Sequence, residues 1–156
     1  MSKVTGQPIK FGYAKSLRTR ALGFSSDAAL LPVLGGISPS ASPDTRTFYN
    51  NLDCAFVFDK DSLLSLIGKI IALPDSGLIM MMGASDDTTL PDPRINKPTL
   101  SVFACTIDKT NDTYEVMHPN PLKPDDTDGV EHPGIVDLSK STITFGKIDK
   151  GNIRLL

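Results

Sequence analysis

Tryptophan is missing from this chain of 156 residues, and aromatics make up only 6% of it. Large stacking platforms for bases or sugars are therefore not expected. Histidine occurs twice, at His118 and His132, and cysteine twice, at Cys54 and Cys105. Two histidines are too few for most zinc centres without carboxylate help, and no Cys-x-x-Cys pair exists for zinc or redox work. Both cysteines lie inside apolar runs, CAFVF and SVFACTI, which suits small buried hydrophobes. A disulfide between them requires that their strands be neighbours at suitable Cα separation. No window approaches the roughly 18 uninterrupted apolar residues of a spanning helix, so no membrane partner is expected. The opening MSKVTGQPIK has no apolar core of the kind a secretory signal needs. A cytoplasmic protein is the expectation, and export by a signal-free route is not excluded by it.

A strong excess of either charge is also missing. The net charge is −2, which argues against a nucleic-acid partner. The distribution is less even. Lys3, Lys10, Lys15, Arg18 and Arg20 stand in the first twenty residues with no acid among them, whereas residues 86–131 carry ten acids against four bases. The two regions can meet between copies or simply face water.

Standard catalytic motifs fail on named residues. Gly68-Lys69 has Leu63 where a phosphate loop needs its first glycine and Ile70 where it needs Ser or Thr. No Gly-x-Ser-x-Gly, Ser-x-x-Lys or His-Glu-x-x-His occurs. No cofactor is implied. The best chemical candidate is the run from Asp125 to His132, where Asp125, Asp126, Asp128 and Glu131 offer hard oxygen ligands near a glycine. An EF-hand register is ruled out, because Gly129 in its sixth position puts Pro124 first and Ile135 last. A non-standard calcium or magnesium site stays as an alternative to a solvated acidic loop. His118 and His132 flank this loop and each precedes a proline, which favours extended backbone. If the loop closes, they can form an acid/base pair with Glu131.

What is present suits an ordinary folded domain. The chain is 40% hydrophobic and 22% charged. A single domain of this size buries roughly 70% of its unfolded surface and needs no staple. The expected plan is an N-terminal arm over 1–8 and one globular domain over 9–156. IKFGYA (9–14) reads as a short strand with Ile9, Phe11 and Tyr13 on one face. SSDAALL (25–31) has the start signal of a short helix, and GGISPSASPD (35–44) reads as a loop. CAFVF (54–58) predicts a buried strand. Asp59 predicts a helix cap, and Leu63, Leu64, Leu66, Ile67, Ile70 and Ile71 an apolar stripe of helical period. LIMMM (78–82) predicts a buried central strand, because successive methionines need both faces covered. TLSVFACTI (99–107), a five-residue connection DKTND and TYEVM (113–117) predict a hairpin. Residues 85–98 and 118–137 are long proline-bearing loops, a length that usually marks function or assembly contacts. TITFGKI and NIRLL predict a closing hairpin or a tail, whose Leu155 and Leu156 would pack on the domain or on a neighbour. The fold class is α+β: a mainly antiparallel sheet of about five or six strands, with one main helix at about 60–72 packed on it.

The stretch FDKDSLLSLIGKIIALPDSGLIMMMGA, followed by KPTLSVFAC, resembles small proteins of Bacteroidetes-type genomes over residues 56–107. Methionines at 80–82 stand where aromatics are expected, and the later Cys/Pro-rich end is missing. The resemblance implies no activity.

Together these features point to a non-catalytic structural or protein-interaction role. The expected partner is protein, as a homo-oligomer or within a larger assembly. The contacts would come from Lys3, Lys10, Lys15, Arg18, Leu155 and Leu156, with basic arm meeting acidic middle. The alternative is a small-ligand or cation binder, or an enzyme, built on residues 118–137.

Overall fold

The computed structural model describes residues 6–29, 42–52, 54–86, 95–132 and 136–137. Its fold is α+β. Five strands form an open antiparallel sheet: β1 (Gln7–Lys10), β6 (Asp128–His132), β4 (Pro98–Asp108) and β3 (Ser76–Ala84) lie side by side in that order, and β5 (Thr113–Val116) also pairs with β4. A separate two-residue ladder joins β2 (Cys54–Ala55) to β7 (Val136–Asp137). Among the described residues three α-helices accompany them: α1 (Phe11–Ala29), α2 (Pro43–Asn50) and α3 (Lys60–Ile70).

β4 is the spine. It pairs with β3 over nine residues, from Ser76 opposite Thr106 to Ala84 opposite Pro98. On its other side it pairs with β6 at Leu100–Val102 and with β5 at Cys105–Asp108. Directly opposed residues share a face. One face thus carries Ile79, Met81, Phe103, Val116 and Ile9, and the other carries Leu78, Met80, Val102, Val130 and His132.

Helix α1 covers the first face. Ala14, Leu17 and Ala21 are buried at helical spacing, and Phe11, Phe103, Ile79 and Met81 close around them. Close approach needs small residues on the sheet. A Cβ at Gly83 would sit 2.7 Å from Leu17 Cβ, and one at Gly129 would intrude on the Phe103 ring. Helix α3 covers part of the second face, where Leu66, Val102 and Val130 are buried with Phe58, Leu63 and Leu78 packed against them.

Local signals explain several boundaries. Asp59 caps α3, its carboxylate accepting the Ser62 N–H at 2.8 Å, as expected. Ser42 caps α2 in the same way through Thr45, with Pro43 in the first turn. The β4–β5 turn is held by Asp108, whose carboxylate accepts the N–H groups of Thr110 and Asn111 at 3.0 and 3.1 Å. Asp112 takes the left-handed conformation there, with φ 52°.

The expected helix at about 60–72 is present as α3, but the longest helix among the described residues is α1, which runs from the segment expected as a short strand (9–14) into the one expected as a short helix (25–31). Phe11, Tyr13 and Ala14 belong to its first turn, and only Ile9 and Lys10 of IKFGYA are strand. The 25–29 segment is its last turn rather than a separate helix. Gln7 and Pro8, placed in the arm, open β1. CAFVF pairs only at Cys54–Ala55; Phe56 and Phe58 leave the ladder and set their rings 5.8 and 6.0 Å from the His132 ring. Most of the predicted 35–44 and 85–98 loops, and the whole predicted 142–156 hairpin, lie outside the described residues.

Candidate functional site

A groove of about 810 Å³ lies on the α1 face. Its floor is the apolar side of the sheet, with Ile79, Met81 and Val116. One wall is α1, from Phe11 through Arg18 to Ser25. The other end is closed by Phe48 and Tyr49 of α2 and by Leu52. Phe48 stacks edge-on with Tyr49, their centroids 5.4 Å apart, and leans on Phe24. Asp27 fixes that end. Its carboxylate accepts the Thr45 hydroxyl at 2.5 Å and the Ser42 N–H at 3.0 Å, tying α1 to the start of α2. These hydrogen bonds hold the Asp27 carboxyl below its ordinary value.

The groove opens along β3. Among the described residues β3 has a hydrogen-bonded neighbour on one side only. Met80 is 57% exposed and Met82 43%. Among the described residues LIMMM is therefore an edge strand and not the buried central strand its composition predicts. A continuous apolar run implies covered faces, yet among the described residues Leu78 packs in the α3 cluster while Met80 and Met82 stay exposed. No residue of β3 is charged, and none is proline.

The residues singled out from sequence do not converge, although Lys15, Arg18 and His118 border the groove. Lys10 Nζ meets Asp128 at 2.5 Å across the β1–β6 pair, and Lys15 Nζ meets Asp125 at 2.6 Å. The basic segment and the acidic stretch are complementary as expected, but at these two pairs the contact is made within one chain. The Asp128 hydrogen bond raises the Lys10 pKa above its ordinary value. Asp126 is exposed on a single 3-10 turn, Pro124–Asp126. Glu131 is buried on the α1 face and accepts the Gln7 amide at 2.8 Å. His132 is buried on the opposite face of the sheet. His118 shares a 2.6 Å hydrogen bond with the Thr127 hydroxyl, rests on the Phe11 ring and borders the groove. Among the described residues no three His, Cys, Asp or Glu side chains gather to hold a metal ion. Arg18 lines the groove, whereas Lys3, Leu155 and Leu156 lie outside the described residues.

Cys54 and Cys105 form no disulfide; Cys105 is buried, and that burial pushes its thiol pKa up. No helix among the described residues is long and apolar enough to cross a membrane. Sequence reasoning missed the groove because its far wall is made by α1 and α2. The signal was there in Ala14, Leu17, Ala21 and Phe24, four apolar residues at helical spacing. No protein-family model, curated protein or solved structure matches the chain.

Proposed function

We propose that the chain is a non-catalytic protein-interaction module that docks through the β3 edge and the groove beside it. The observation that carries this reading is the nine-residue uncharged edge with Met80 and Met82 exposed. Such an edge presents unpaired N–H and C=O groups to any further strand. Strand addition gains main-chain hydrogen bonds, and side-chain pockets beside the edge add specificity. The groove supplies such a pocket, and methionine suits a surface that must adapt to its partner. The reading includes a cytoplasmic setting, which two cysteines outside any disulfide support.

Amide exchange tests it. The full chain, isotopically labelled, is compared when purified and dilute and when placed in extract of the cells that make it. Docking slows exchange at the β3 amides that do not face β4. Equal exchange rates in both settings would sink the reading.

A further inference from the structure

We infer that the strand docked on β3 is β3 of a second copy, in an antiparallel pair whose two-fold axis passes through Met80. The inference rests on the reading of β3 as a docking edge and names its occupant.

The argument is self-complementarity. A two-fold interface sets the same patch against itself, so a residue at one distance before the axis meets the residue at that distance after it. In Ser76–Ala84 this operation places Leu78 against Met82, Ile79 against Met81, and Met80 against itself. Outside these, Gly77 meets Gly83 and Ser76 meets Ala84. Large apolar residues meet large ones, small meet small, and no charge meets its like. An antiparallel pair about an axis normal to the sheet keeps equivalent faces on the same side. Ile79 and Met81 then extend the α1-side apolar face into the partner, and the exposed Met80 and Met82 gain apolar neighbours on the other. Two five-stranded sheets become one continuous sheet. The β1 edge fails the same operation, because its four residues include Pro8 and Lys10.

Sedimentation velocity on the purified full chain, up to submillimolar concentration, is the test. Wild type is expected to dimerise. Met80→Lys and Met80→Glu each set like charges against each other across the axis and weaken association by about tenfold or more. An equimolar mixture of the two variants dimerises again, an outcome that misfolded variants would not produce. Register is read by oxidation. Met80→Cys forms an 80–80 intermolecular disulfide, identified by mass spectrometry. Met82→Cys does not link to itself, because its partner residue 82 lies roughly 14 Å along the strand. A wild type that stays monomeric, a Met80→Lys chain that dimerises as wild type does, or self-linking at 82 but not at 80 overturns the inference. A monomeric pure chain whose β3 amides are still protected in extract overturns the second copy as occupant and leaves β3 as a docking edge. Loss of that protection too overturns both.

Discussion

Among the described residues the sheet ends in β1 on one flank and β3 on the other, and the two edges differ in composition. β1 has four residues, one of them proline and one a lysine held in an ion pair with Asp128. Proline removes a donor, and a charged side chain makes burial under another strand costly. β3 has nine residues, all uncharged, with two exposed methionines. Both edges belong to one sheet and lean on one core, so stability alone does not explain the difference. Proteins commonly guard edges against unwanted pairing. A guarded edge beside an unguarded one is the pattern expected where one edge is used.

Phe103→Ala tests whether both edges depend on one ring. Phe103 is fully buried, packs edge-on against Phe11 at 5.2 Å, and lies in the cluster with Ile9 while Ile79 and Met81 pack against it. Urea denaturation should show a loss of about 3–5 kcal/mol. A loss confined to a few tenths would mean that the edges are supported separately. Gly129→Ala is more local. Its methyl group would press on Phe103 from β6, the strand that holds β1. The expected cost is about 1–3 kcal/mol, with amide exchange accelerated in β1 more than in β3. Equal acceleration in both would remove the independence of the two flanks.

Acid titration probes the β3 side. The Asp27 tie holds α2 over the groove, and its carboxyl lies below the ordinary value. A depressed carboxylate stabilises the fold above its unfolded pKa, and that contribution disappears as pH falls through the lower folded value. Wild-type Tm should therefore decline below about pH 4, and Asp27→Asn, already lower at neutral pH, should decline less. Asp108, lowered by its bonds to Asn111 and Thr110, supplies part of the remaining acid dependence. Parallel curves for variant and wild type would detach Asp27 from the acid response.

The smallest effect is expected at the β1 edge. Lys10 is exposed and paired with Asp128, and its pKa is raised. A raised lysine contributes stability below its unfolded pKa and loses it as pH rises through the higher folded value. Lys10→Met should lower Tm slightly at neutral pH, less in high salt, and not at all above the alkaline transition. It also removes the charge that guards β1. If the variant gained a second association mode in sedimentation, the role of that charge as a guard would be established directly.

Some elements were legible in the residues because their cause is local. The Asp59 cap needs only a carboxylate two to three residues ahead of free N–H groups, and the β4–β5 turn needs only Asp108 and the residues after it. α1 was not legible in the same way. Its buried stripe is largely alanine, so its apolar contrast is weak, and Ile9, Phe11 and Tyr13 imitate strand alternation just where the helix begins. The candidate surface was less legible still. LIMMM announces a strand, but composition cannot say whether the strand has one neighbour or two.

By itself the sequence determined the α+β class, the strand at 78–82, the capped helix after Asp59, the β4–β5 hairpin and the lack of standard catalytic motifs. Tertiary structure alone decided that β3 lies at an edge among the described strands, that α1 and α2 shape a groove beside it, and that Lys10 and Lys15 spend their charge on Asp128 and Asp125. The reason is physical. Caps and turns are set by atoms a few residues apart. Strand order, exposure and ion pairing depend on segments more than a hundred residues apart in the chain, whose meeting is settled only when the whole apolar surface is buried together.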